Sequence, residues 1–308
     1  MKIVFMGTSD FAVPSLLALL ASPAHEVLAV VTQPDKPKGR GNKLSVSPIK
    51  EEALKHSLPV LQPVRIKRKV NVAKLAALGA DIFIAASYGQ ILSQEILDMP
   101  PYGCICVHAS LLPKYRGASP IQQAILHGDA DAGVTIMQMD AGVDTGDMLL
   151  SRAIPITDDD TGGTLHDKLA VLGAEALMEC LPLLTAGTAV PVPQSGDFSL
   201  APMLTKDMGR IDWTLTPCEI VNLVRGLNPW PCAFAMLDGK PLRIFRADTV
   251  EGNGAPGEIL SASSKTGFTI AANGGAVRIR EMQAQNSKRM TAEAYLLGHT
   301  IPIGTILQ

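Results

Sequence analysis

Short unbroken apolar runs alternate with longer stretches of helical period through the first half of this chain, a pattern that commits it to a parallel sheet flanked by helices. Residues 3–6 form one apolar run closed by Gly7, residues 11–20 are spaced as a helix, and residues 27–32 form a second run. The same reading gives helices over 48–56, near 70–78 and over 119–127, with strands at 60–61, 81–86 and 104–107. Parallel strands need crossover connections, so the sheet is expected to be mostly parallel and doubly wound, with ligands beyond the carboxyl ends of its strands.

The second half changes character. Runs at 134–140 and 147–156 flank a glycine-punctuated loop, a helix is expected over 161–185, and residues 186–196 are small, proline-rich and aperiodic, which reads as an extended linker. Beyond a helix at 217–227, short strands at 232–237, 242–247, 258–261, 267–270 and 276–282 are separated by glycine-containing turns. That pattern reads as a small β-rich domain of barrel type. The expected organisation is a catalytic domain over 1–188, a linker over 189–206 and a second domain over 207–308.

Composition excludes several classes. With 308 residues, 47% of them hydrophobic and 18% charged, the chain has ample core-forming material and is not intrinsically disordered. A net charge of -2 argues against nonspecific coating of nucleic acid, so such a partner must be met locally. Five cysteines, odd in number and mostly within apolar runs, point to reduced thiols and a cytoplasmic location. No apolar run approaches the roughly 18 residues of a membrane span, and no membrane role is expected. The turn after the first strand lacks the three-glycine pyrophosphate spacing, and no Gly-Lys-Ser/Thr loop occurs. Six scattered histidines without a His-Glu-x-x-His pattern give no expectation of a metal.

Two features carry possible chemistry. His108 stands directly after the run at 104–107, at a strand's carboxyl end, although a turn histidine would occupy the same position. Asp140, Asp144 and Asp147 share a loop with Gly142 and Gly146, where carboxylates sit on backbone able to approach a ligand; an acidic surface turn has the same composition.

Residues 103–122, Gly-Cys-Ile-Cys-Val-His-Ala-Ser-Leu-Leu-Pro-Lys-Tyr-Arg-Gly-Ala-Ser-Pro-Ile-Gln, resemble the signature of the folate-dependent formyltransferases. Residues 129–147 resemble that family's second block, and residues 33–44 and 228–231 are similar to segments of members that act on charged tRNA. The resemblance runs from end to end. It implies an α/β architecture, a Rossmann-like formyltransferase domain with a mostly parallel sheet followed by a small OB-like β-barrel that binds tRNA. It also implies a monomer that moves a formyl group from 10-formyltetrahydrofolate, without a metal, to the α-amine of methionine on initiator tRNA.

By the same resemblance, His108 stabilises negative charge on the formyl oxygen and Asp144 is its carboxylate partner. Ser110, Leu111, Leu112 and Pro113, with Tyr88, Ile91 and Leu92, are the implied folate contacts; ordinary packing is their alternative. The basic segment 33–44 is expected to be disordered without a partner, with Arg40 as the leading tRNA contact and Lys38 and Lys43 beside it. From Lys206 onward 11 basic residues face 9 acidic ones, and Lys206, Arg210 and the Lys288 and Arg289 pair are candidate phosphate contacts.

One departure matters. The family pattern places asparagine two residues before the histidine, where an amide would help bind the formyl oxygen, and this chain has Cys106. A thiol is a weaker donor than an amide, so an uncompensated loss would cost about 2.7–4 kcal/mol of transition-state stabilisation. Three readings stay open: a compensating donor, a substitution that traps the site, or decayed catalysis. The rival functions are formyl transfer to another amine and non-catalytic binding of tRNA or folate.

Overall fold

The computed structural model describes residues 1–38, 43–265 and 267–307. In chain order the first elements are β1 (Lys2–Gly7), α1 (Val13–Ala21), β2 (Glu26–Val31), β3 (Lys36–Lys38), β4 (Lys43–Ser45), α2 (Pro48–Lys55), β5 (Val60–Leu61) and α3 (Lys69–Ala76). They are followed by β6 (Ile82–Ala86), α4 (Gln94–Leu97), β7 (Cys104–His108), β8 (Arg116–Gly117), α5 (Pro120–Leu126), β9 (Asp131–Gln138), β10 (Met148–Pro155), α6 (Gly162–Thr185) and β11 (Leu200–Ala201). The remainder comprises α7 (Pro217–Gly226), β12 (Ala233–Leu237), β13 (Lys240–Val250), β14 (Ile259–Ser263), β15 (Gly267–Ala272), β16 (Gly275–Ala284), β17 (Met290–Thr291) and α8 (Ala292–Gly298).

Contacts divide the chain into two compact units: Met1–Pro120, Ala132–Ile154 and His166–Ala201 form the first, and Ile121–Asp131, Pro155–Leu165 and Pro202–Gln308 the second. The division is not sequential, because α5 and the turn before α6 group with the C-terminal segment.

The first unit is built on a seven-stranded sheet of order β10-β9-β7-β6-β1-β2-β5. The five strands from β7 to β5 are parallel, and β9 runs antiparallel to β7. Helices cover both faces of such a sheet, which is why β1 and β6 are continuous apolar runs: Ile3, Val4, Phe5, Met6, Ile82 and Ile84 are all fully buried. The order reverses between β1 and β6, placing the topological switch at the carboxyl ends of β1, β6 and their neighbour β7.

Residues 39–42 of the basic segment 33–44 lie outside the described residues, and its flanks carry regular structure. β3 and β4 pair antiparallel, and Asp35 anchors the base through Lys50 Nζ (2.6 Å) and Gln62 Nε2 (2.7 Å). These hydrogen bonds hold the Asp35 carboxyl below its ordinary pKa. Among the described residues, a local ladder and a paired carboxylate thus hold the two ends of a stretch whose composition alone reads as a solvated loop.

In the second unit, β12-β13-β16-β15-β14 form an antiparallel sheet with β17 on β16. Trp213, Ile220, Val224, Ile244, Phe268, Ile279 and Met282 make its core. Non-strand backbone covers both edges: Ile211 N donates to Phe234 O (2.9 Å), and Ile259 N donates to Thr305 O (2.9 Å). α7 lies on this sheet, started by Pro217 and by a reciprocal cap in which Glu219 N donates to Thr216 Oγ1 (3.3 Å) and Thr216 N to Glu219 Oε2 (2.9 Å). Thr216→Ala is expected to cost about 1 kcal/mol in chemical denaturation, and a loss under about 0.3 kcal/mol would show the cap to be unimportant.

Candidate active site

The carboxyl ends of the parallel strands are tied to one another. Thr8 Oγ1, after β1, donates to Tyr88 O (3.0 Å) after β6, and Ser9 Oγ donates to Ser87 Oγ (2.8 Å). Because β6 and β7 are adjacent and parallel, the loops 87–93 and 109–118 leave the same edge of the sheet.

His108 is the last residue of β7, rather than the first beyond it, and only 6% of it is exposed. Its Nε2 lies 3.0 Å from Tyr115 O. A carbonyl can only accept, so Nε2 carries a hydrogen. Nδ1 faces Asp144 Oδ2 at 3.6 Å, an electrostatic contact longer than a hydrogen bond. The same carboxylate oxygen accepts from Gly117 N (2.8 Å). Tyr115 (φ 61°) and Asp144 (φ 53°) both occupy the left-handed region, where a side chain is tolerated only when its surroundings over-determine it. Gly146 follows from a close approach: a Cβ there would lie 1.7 Å from Gln138 O.

The loop after β7 is held from β9. Thr135, opposite His108 in the ladder, donates from Oγ1 to Ser110 O (2.7 Å) and accepts from Leu112 N (3.2 Å). Ser110 Oγ donates to Lys114 O (2.6 Å), and Leu111 packs over Gly133, where a Cβ would meet its Cδ2 at 2.4 Å. Ser110, Leu111, Leu112 and Pro113 therefore form a fixed, largely apolar lip continuous with His108. Of the residues after β6, Tyr88 (5% exposed) and Leu92 (4%) pack into the core, whereas Ile91 (57%) stands open to solvent. Burial pushes the Tyr88 phenol up, which keeps it neutral.

Cys106 pairs in register with Ala85 and Met137, two residues before His108 and on the same side of β7. It retains partial exposure, yet close packing around its sulfur, and secondarily the charge of Asp144, push its thiol above the ordinary cysteine range. It is thus held as a neutral thiol.

The cationic candidates are distributed differently. Arg40 lies outside the described residues, as do the side chains of Lys38 and Lys43. Lys206 and Arg210 are exposed in the second unit. Arg289 is already engaged, paired with Glu281 and stacked 4.4 Å over the Phe245 ring. Among the described residues no group of His, Cys, Asp or Glu is placed to hold a metal ion, and no helix is long and apolar enough to cross a membrane.

The structure thus brings Cys106, His108, Ser110–Pro113 and Asp144 into one region of the first unit. It adds Thr135, the Tyr115 carbonyl and Gly117 N, which lie inside the family-like blocks, and Gln194, which lies outside them. Gln194 falls in the stretch that reads as a linker.

Known proteins bear on this geometry. The family described as "Formyl transferase" matches residues 1–181, and "Formyl transferase, C-terminal domain" matches residues 203–300. A methionyl-tRNA formyltransferase of Caldanaerobacter subterraneus subsp. tengcongensis is 51% identical over 312 residues, covering 100% of both chains. One of Geotalea uraniireducens is 47% identical, covering 100% of this chain and 98% of that one. Among solved structures, HypX from Aquifex aeolicus in complex with tetrahydrofolic acid superposes with a TM-score of 0.62 at 21% identity, covering 97% of this chain and 47% of that one. An N-formyltransferase from Helicobacter canadensis, in complex with folinic acid and dTDP-3-aminofucose, gives a TM-score of 0.64 at 18% identity, covering 92% and 99%. The two structures speak to the fold alone, but the matched family and the full-length identities carry further: this chain belongs to the formyl transferase family.

Proposed function

We propose that the chain transfers the formyl group of 10-formyltetrahydrofolate to the α-amine of methionyl initiator tRNA, acting as a monomer in the cytoplasm. One observation carries the reading: a buried His108, bounded by the Tyr115 carbonyl and Asp144, in a chain about half identical over its whole length to a methionyl-tRNA formyltransferase. The five free cysteines fit a reducing compartment.

The amine nitrogen attacks the formyl carbon, the new C–N bond forms, and the carbonyl electron pair moves onto oxygen. Breaking the bond to the folate nitrogen returns that pair, while a proton passes from the attacking amine to the departing nitrogen. His108 supplies the N–H that stabilises the oxygen. Its Nε2 hydrogen, resting on Tyr115 O, is redirected to the stronger acceptor that the transition state creates. Asp144 faces the ring from the Nδ1 side and is placed to organise the proton path. The lip formed by Ser110, Leu111, Leu112 and Pro113, with exposed Ile91, suits a flat apolar ring edge, and the backbone held by Thr135 keeps it in place.

Arg40, Lys38, Lys43, Lys206 and Arg210 are assigned to tRNA phosphates. If three of them make such contacts, affinity for charged initiator tRNA falls roughly 40-fold between about 50 and 200 mM salt, whereas a flat salt response removes this assignment. The function itself is tested by incubating the chain with charged initiator tRNA and 10-formyltetrahydrofolate. Formylmethionyl-tRNA is the expected product. Transfer only to a free or sugar-linked amine would redirect the substrate, and binding without transfer would replace the enzyme with a binding protein.

A further inference from the structure

We infer that Gln194, in the stretch joining the two family regions, is a positioning residue of the formyl-transfer site that acts through Asp144; the inference rests on the function proposed above. Its side-chain amide is fully committed. Nε2 donates to Asp144 O (2.9 Å) and Gly146 O (2.8 Å), while Oε1 accepts from Arg116 Nε (2.9 Å) and Nη2 (2.7 Å). A guanidinium only donates and carbonyls only accept, so the amide has one allowed orientation. Flipping it would set four contacts against one another.

The surrounding segment binds the other partner of His108 as well. Tyr115 N donates to Ser199 Oγ (2.9 Å), Arg116 N donates to Ser199 O (2.9 Å), and β11 pairs with β8. The Arg116 guanidinium lies 4.8 Å over the Phe198 ring. One strap therefore secures both residues that bound the imidazole: Tyr115, whose carbonyl meets Nε2, and Asp144, which faces Nδ1. Both hold left-handed backbone that relaxes unless restrained. Gln194 restrains Asp144 through its own carbonyl and that of the residue two further on. Without those donors the backbone that carries Asp144 is less restrained, its carboxylate keeping only the hydrogen bond from Gly117 N, and a displacement of about 1 Å is enough to cost about 100-fold in rate.

The test uses the full chain with Gln194→Met, which keeps the length and removes every polar contact, and Gln194→Glu, which keeps an acceptor for Arg116 and removes both donors. Each is expected to lower kcat about 10- to 100-fold while KM for charged tRNA and for 10-formyltetrahydrofolate changes less than about threefold. Because the effect passes through Asp144, adding Gln194→Met to Asp144→Asn should lower the rate less than about threefold further. Full additivity in that cycle, wild-type turnover by Gln194→Glu, or a rise in KM at unchanged kcat would each overturn the inference. Chemical shifts of the His108 ring nitrogens, read by NMR on histidine-labelled protein, need no turnover. Gln194→Met should move them, and unmoved signals count against the inference even if wild type transfers no formyl group. In that last event the proposed function fails separately, on the wild-type assay alone.

Discussion

His108→Ala is expected to lower the single-turnover rate of formyl transfer about 100- to 1,000-fold with the fold intact, the range for removing one donor to a developing oxyanion. The imidazole is buried at the carboxyl end of β7, and its Nε2 hydrogen, which meets Tyr115 O, is the donor assigned to the formyl oxygen in the proposed function. Its loss leaves the Tyr115 carbonyl and the Asp144 carboxylate without their shared neighbour, although Asp144 keeps its hydrogen bond from Gly117 N. Truncating one side chain at a strand end should leave the remaining ladder to β9 in place, so circular dichroism and the tRNA dissociation constant should stay near wild type. Rapid-quench measurement at saturating substrates separates the chemical step from binding. A loss smaller than about fivefold would remove His108 from the chemistry.

Cys106→Asn should act in the opposite direction, raising the transfer rate at least about tenfold. That gain is about 1.4 kcal/mol in the barrier, less than the full value of an oxyanion donor because a newly introduced amide is not perfectly aimed. The position shares the side of β7 on which His108 stands and retains partial exposure, and the amide is only slightly larger than the thiol. Any overpacking against Ala85 or Met137 would show as lost stability, measured separately by thermal unfolding. The wild-type thiol offers no substitute chemistry: burial and Asp144 keep it protonated, and the thiolate is the reactive form. A rate that is unchanged or lower in Cys106→Asn would mean that cysteine here is no catalytic defect.

Much of the first unit was legible from spacing alone. The runs at 3–6, 27–32 and 81–86 became β1 and its two neighbours, β2 and β6, because strands buried on both faces must be apolar throughout, a signal that survives without context. Besides the seven-residue α8, the elements that escaped were short. β8 and β11 have two residues each, α4 has four and β3 and β4 three each, too few for any periodicity to register. In the site, His108 and Asp144 stood out by position and took their roles from motif resemblance, whereas Gln194 lies in a stretch that carries no such motif. The strap that reads as linker is ordered by partners about 50 to 80 positions away in the chain, such as Gly146 and Arg116.

Sequence by itself determined the alternating elements, the parallel sheet with its ligand edge, and the family to which the chain belongs, because apolar period and contiguous motifs are local properties. Only the tertiary structure decided that the hydrogen bonds of Gln194 converge on Asp144 and Arg116, that Thr135 pins the loop after His108, and that the Cys106 thiol stays neutral. Each of these depends on backbone groups and burial brought together from distant parts of the chain, and no local pattern of residue types encodes which carbonyl a given amide will meet.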